Sequence, residues 1–351
     1  MKPPSLLQIR VPPLDEAAQT AARKRWDRLT KPQGSLGRLE EIGTRIAGMI
    51  GWPVSGLDRK VVFTVAADHG VAAEGVSAYP QKVTAQMVVN FLQGGAGINV
   101  LARYAQAEVV FVDAGVAFPI PFRERLISCG VRQGTGNMRR EPAMTRDQAH
   151  QIVLRGMEIF GRIHYDRPVG LVGLGEMGIG NTTASSALTA VLTGSTVREV
   201  TGRGTGLTEE AWVHKVRVIE DALKLHQPDS ADPVDCLAKI GGLEIGCLAG
   251  IALAAAQARR PVVLDGFIAS CAGLVAARIA PGVEDYFIAS HRSAEPGHRK
   301  IVESLKLEPL LDLQMRLGEG TGAALGFFLV EAAIRLLNEM ATFDGAGVSE
   351  A

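Results

Sequence analysis

Five short runs of apolar, largely β-branched residues recur along the chain, and each stops at a polar or glycine-bearing corner. Residues 61–65 lead into Asp68-His69-Gly70, and residues 109–112 into Asp113-Ala114-Gly115. Residues 169–172 lead into Gly173-Leu174-Gly175-Glu176, 261–264 into Asp265-Gly266, and 286–289 into Ser290-His291. Short runs without polar alternation predict strands covered on both faces. Helical patterns fill the gaps, over 84–104, 145–164, 208–226 and, as one or two Ala-rich helices, 234–259. Thr145-Arg146-Asp147-Gln148 is a capping box, and Thr208, Glu209 and Glu210 suit a helix start. Strands alternating with helices predict a doubly wound, mainly parallel, Rossmann-like α/β sheet.

The ends of the chain differ from this pattern. Two polar-faced helices are predicted over 15–29 and 36–49, the second capped by Ser35, and an apolar helix over 322–340. They predict a smaller helical domain of residues 1–55 plus 320–351, beside a large α/β domain of 56–319. The intervening Lys31-Pro32-Gln33-Gly34 reads equally as a helix connector or as a lid or subunit contact.

In parallel sheets, ligands bind beyond the carboxyl ends of the strands. That places Asp68, Asp113, Glu176, Asp265 and His291 along one edge, as a shared site. Composition narrows what the site handles. The 351 residues carry 37 Lys+Arg against 37 Asp+Glu, and aromatics make up 5%. Neither a global positive field nor a base-stacking platform for nucleic acid is present. Hydrophobic residues at 47% exclude a disordered chain. Cys129, Cys236, Cys247 and Cys271 lack C-x-x-C spacing and read as reduced thiols of a cytoplasmic protein. No signal peptide fits the proline-bearing first 14 residues, and the uncharged stretch 177–197 is too polar for a membrane span.

The 40 glycines gather where chemistry is expected. Residues 173–183 place four glycines, then Asn181-Thr182-Thr183, between a strand and a helix start, a setting that suits a phosphate. The G-x-G-x-x-G at 173–178 is weak evidence for a dinucleotide. Glu176 would face the pyrophosphate, and no second strand leads to an acid near Glu199. Gly202-Arg203-Gly204-Thr205-Gly206 is either a sugar-phosphate cradle or an ordinary loop, and Lys215 either reaches a phosphate or is solvated. Glu319, between Gly318 and Gly320, is either a dipole-favoured helix-start acid or a general base. Two rivals stand beside a transferase. One is a metal-dependent phosphohydrolase using Asp68, His69, Asp113 and His291, although metal-ligand spacing is missing. The other is a non-catalytic nucleotide-binding module.

Six segments in order resemble the nicotinate-nucleotide:dimethylbenzimidazole phosphoribosyltransferase family. They are residues 31–40 (KPQGSLGRLE), 67–70 (ADHG), 173–183 (GLGEMGIGNTT), 264–266 (LDG), 290–295 (SHRSAE) and 316–320 (RLGEG). Gln33 replaces a proline frequent in the family. The resemblance implies phosphoribose transfer from nicotinate mononucleotide to 5,6-dimethylbenzimidazole, giving α-ribazole 5′-phosphate and nicotinate for the lower-ligand nucleotide of cobalamin. It implies a homodimer that needs no metal or cofactor. It implies Glu319 as general base and Glu176 beside it in the active site. It implies Gly178, Asn181, Gly204, Lys215 and Ser293 at phosphate and ribose, and Tyr79, Met87 and Leu317 around the flat base.

Overall fold

A computed structural model of the chain describes residues 6–121 and 124–349. Its centre is a six-stranded, wholly parallel sheet of β1 (Lys60–Ala67), β2 (Glu108–Gly115), β3 (Leu126–Ser128), β4 (Leu171–Met177), β5 (Val262–Leu264) and β6 (Phe287–Ala289). The order is β3-β2-β1-β4-β5-β6. That is the doubly wound arrangement, with its switch point between β1 and β4, where a crevice opens. All eight residues of β1 are buried, as a strand covered on both faces requires.

The strand that positions the site differs from expectation. β4 runs on through Gly173, Gly175 and Glu176 instead of stopping at Val172. Those glycines read locally as a loop, but the C-terminal segment crosses directly over them. A Cβ on Gly175 would lie 2.3 Å from Glu319 O and Gly320 N, and one on Gly173 would lie 3.0 Å from the Phe327 ring. Strand β3 lies outside the five expected runs. It is an edge strand of three residues, Leu126-Ile127-Ser128, too short to register as an apolar run.

The helix expected over 84–104 is two, Val83–Gln93 and Gly97–Tyr104, broken at Gly94, which is left-handed at φ 82°. The Ala-rich stretch is also two helices, Pro233–Ile240 and Leu243–Gln257. Ser35 does not cap the second N-terminal helix, Arg38–Ile50, whose capping residue is Gly37. The Glu40 carboxylate instead accepts the Leu36 N–H at 3.0 Å and pairs with the buried Lys31 ammonium at 2.7 Å.

Helix Glu16–Asp27 starts on Asp15, whose side chain accepts the Ala18 N–H at 2.9 Å. The two N-terminal helices pack against helix Thr321–Glu339. Arg25 donates to the carbonyls of Leu337 at 3.2 Å and Met340 at 2.8 Å, and Thr30 N–H to Ala341 O at 3.0 Å. Helix Thr321–Glu339 is long and apolar enough to cross a membrane, but its apolarity serves the core. Ala323, Phe327, Val330, Ala333 and Leu337 on it are fully buried.

Candidate active site

A cleft of about 570 Å³ opens at the carboxyl ends of β4, β5 and β6. Its floor is made by two acids. Glu176 ends β4, and Glu319 sits on the turn before helix Thr321–Glu339. That turn is unusual: Gly318, Glu319 and Gly320 are all left-handed, at φ 84°, 66° and 94°. Glycine adopts this region freely, but glutamate there is strained and must be held. Asp265 holds it, accepting the Gly320 N–H at 2.9 Å and the Gly322 N–H at 2.6 Å. Thr64 Oγ1 donates to Glu319 O at 2.8 Å, and Glu319 N–H donates to Glu176 O at 3.2 Å.

The Glu319 carboxylate reaches the start of helix Gly97–Tyr104, where Oε2 accepts the Ile98 N–H at 3.1 Å. Burial pushes its pKa above the ordinary value, Asp265 adds to the rise, and the backbone N–H groups of Ile98 and Gly97 oppose it. Glu176 is pushed up well above the usual range, first by burial and then by the charges of Asp265, Glu244 and Glu319. Asn181 partly offsets this by donating to Glu176 Oε2.

One wall is the turn from β4 into helix Asn181–Thr193, carrying Gly178 and Asn181. Gly178 packs on β1, and a Cβ there would lie 2.4 Å from Ala67 O. The opposite wall is the loop with Gly204, next to Ser293 and Glu295. Ser293 Oγ accepts the Glu295 N–H at 3.3 Å, and Ser293 N–H points at His298 Nδ1 at 3.3 Å. Burial lowers the His298 pKa to about 3, so Nδ1 is an acceptor at neutral pH. Tyr79, Met87 and Leu317 form an apolar side of the mouth, with Tyr79 56% and Leu317 60% exposed.

Lys215 does not line the cleft and is not solvated. It is fully buried behind Gly204, with Nζ 2.7 Å from Thr182 Oγ1, and burial lowers its pKa to about 8.

The shared edge expected from five strand corners is divided. Glu176 and His291 line the cleft, and Asp265 lies beneath it. Asp68 and Asp113 do neither. Asp113 closes its own turn, accepting from Gly115 and Val116 N–H, while Asp68 accepts the Ala117 N–H. His69 is bound to Glu244 at 2.7 Å, and His291 lies 3.5 Å from Asp265. Asp68, His69, Asp113 and His291 therefore have separate partners, and among the described residues no three acidic, His or Cys side chains gather as a metal-ligand set. Gly173 and Gly175, inside β4, do not form a dinucleotide turn.

Sequence reading passed over Ser77, and named Thr205 and Arg316 only as members of longer segments. Thr205 Oγ1 accepts the Ala78 N–H at 2.9 Å and joins Ser77 Oγ at 3.2 Å, tying two loops across the mouth. A lone serine and threonine 128 positions apart give no local signal.

A parallel switch-point crevice with glycine walls, an acidic floor and an apolar mouth defines an α/β enzyme built for a small nucleotide-like substrate. A family model described as phosphoribosyltransferase matches residues 11–348, and the chain belongs to that family. A nicotinate-nucleotide–dimethylbenzimidazole phosphoribosyltransferase of Chloroflexus aggregans is 55% identical over 338 residues, covering 96% of each chain. The protein of that name from Desulforudis audaxviator is 55% identical over 342 residues, covering 97% of each. The crystal structure of a protein of that name from Thermus thermophilus superposes with a TM-score of 0.91 at 46% identity, over 96% of this chain and 100% of that one.

Proposed function

We propose that the enzyme transfers phosphoribose from nicotinate mononucleotide to 5,6-dimethylbenzimidazole, forming α-ribazole 5′-phosphate and nicotinate in assembly of the cobalamin lower ligand. The names of relatives at 55% identity over nearly the whole chain support the substrates. The observation that carries the mechanism is the strained, fully braced Glu319 at the cleft floor.

The glycosidic bond breaks with its electron pair passing to the pyridinium nitrogen, so nicotinate leaves as a neutral ring. Positive charge grows at the anomeric carbon, where the acidic floor of Glu176 and Glu319 suits it. One benzimidazole nitrogen forms the new bond from the opposite face, inverting β to α. Glu319 takes the proton from the other nitrogen. Its raised pKa makes it a stronger base, and the helix start at Gly97 and Ile98 keeps the anion accessible. Gly178, Asn181, Gly204 and Ser293 hold phosphate and ribose, and Lys215, buried behind Gly204, adds positive charge from beneath that wall, which together supply orientation. Tyr79, Met87 and Leu317 clasp the flat base.

The same reading keeps residues 56–319 as the catalytic domain and 1–55 plus 320–351 as the helical one. It takes the protein as cytoplasmic, consistent with four free cysteines, and as a homodimer. The test is incubation with nicotinate mononucleotide and dimethylbenzimidazole. Release of nicotinate with equimolar α-ribazole 5′-phosphate is expected, and hydrolysis to ribose 5-phosphate without base addition would contradict it.

A further inference from the structure

Beside the place assigned to the phosphate lie two buried groups of opposite charge that do not pair. Lys215 is fully buried, and among the described residues its ammonium has one hydrogen-bond acceptor, the neutral Thr182 Oγ1. Glu295 is 7% exposed. Its Oε1 accepts the Gly204 N–H at 3.1 Å, while its Oε2 is buried without a hydrogen-bond partner. The carboxylate sits in the hollow left by Gly202, where a Cβ would lie 2.0 Å from Oε2. Arg316 Nη1 donates to Gly204 O at 2.9 Å, so Gly204 is held on both its N–H and its carbonyl.

A backbone N–H is a single donor, and one strong acceptor takes it. A phosphate oxygen that binds Gly204 N–H must therefore displace Glu295. A carboxylate remaining at close range repels that phosphate, strongly so where little water screens it. We infer that Glu295 is an internal rival of the substrate phosphate: its carboxylate holds the Gly204 N–H, and the incoming 5′-phosphate takes that donor over. The inference rests on the phosphoribosyl-transfer reading above.

It has a kinetic meaning. Substrate and product carry the same 5′-phosphate, so a group that weakens its grip slows capture little but helps the product leave. The Arg316–Gly204 bond also connects this exchange to the segment bearing Glu319, three residues further on.

The test compares the parent enzyme with Glu295→Gln, which keeps shape and removes charge. Inorganic phosphate is the calorimetric probe, below about pH 7, where Lys215 still carries its charge. Phosphate binding is expected to tighten about tenfold in the variant, with KM for nicotinate mononucleotide and kcat both falling. Unchanged or weaker phosphate binding at the parent's melting temperature overturns the inference and makes Glu295 a structural prop. Should Glu295→Gln fail to fold, Glu295→Asp withdraws from Gly204 N–H while keeping the charge. Binding between that of parent and the tenfold gain supports the inference, and parent-like or weaker binding overturns it. A parent enzyme that binds phosphate but releases no nicotinate defeats the functional reading instead. A parent that turns over normally, beside a variant with no gain in phosphate affinity, defeats this inference alone.

Discussion

The corners after β1 and β2 and those after β4 and β5 carry buried acids at equivalent places on one sheet edge, yet they do different work. At the first pair, Asp113 spends its oxygen on two N–H groups of its own turn, and Asp68 is tied to Ala117. At the second, Glu176 lies on the cleft floor after β4, and Asp265 after β5 holds the turn that brings Glu319 onto the same floor; both glutamates have raised pKa values. A corner position brings an acid to the edge. Whether its carboxylate opens into the cleft, rather than burial or a raised pKa, which Asp68 shares, separates the two pairs. Asp265 marks the boundary. It lies in the reactive half, but Gly320 and Gly322 take its oxygens, and its work is to fix the turn that carries Glu319.

The sharpest way to break this contrast is to neutralise Glu319. Glu319→Gln is expected to lower kcat by about 10²–10⁴ while leaving the circular-dichroism spectrum and melting temperature near the parent's. Near-normal nicotinate release in that variant would remove Glu319 as the base.

Gly175→Ala comes next. Its methyl group meets backbone atoms of residues 319 and 320 at 2.3 Å, so either the strand or the turn moves. A shift of that size at the base is expected to cost about 10²-fold in turnover, with a smaller loss of thermal stability. A Gly175→Ala enzyme of full activity would mean that the turn is not held by this contact.

Asp113→Ala probes the other half. Two buried N–H groups lose their acceptor, for an expected loss of about 1–3 kcal/mol in denaturant unfolding, with kcat unchanged. A large fall in kcat at unchanged stability would erase the distinction between the two corners.

The smallest effect is on the pH dependence of stability. Glu176 has a raised pKa in the folded protein, so the folded state holds its proton more tightly than the unfolded one. Its contribution is then fully favourable below the unfolded value and is lost as pH rises through the folded value. Glu176→Gln lacks that loss. Its melting temperature is expected to gain on the parent's as pH rises from acid to mildly alkaline, and a constant gap would argue against a strained carboxylate.

The doubly wound parallel class and the placing of Glu176, Asp265 and His291 at the site were legible from apolar runs and their corners, and the other site residues from the family resemblance. What stayed hidden depends on distant partners. Gly173 and Gly175 look like loop residues until helix Thr321–Glu339 is laid over them. Lys215 looks solvated because its burial comes from the 202–206 loop rather than from its own helix. Asp68 and Asp113 look equivalent to Glu176 because spacing carries no trace of which strand corners open into the cleft. Ser35 has the hydroxyl of a cap, but Gly37 enters the helix through a left-handed residue at φ 52°, which no hydroxyl signal announces.

The position of Glu319 after all six strands has a consequence for how the enzyme is made. All six strands have left the ribosome once Ala289 has emerged, so the sheet can begin to order during synthesis. The turn at 318–320 and the helix whose Phe327 covers Gly173 follow the last strand in the chain. The cleft floor and the cover over the central strand are thus completed only after every strand of the sheet has been made.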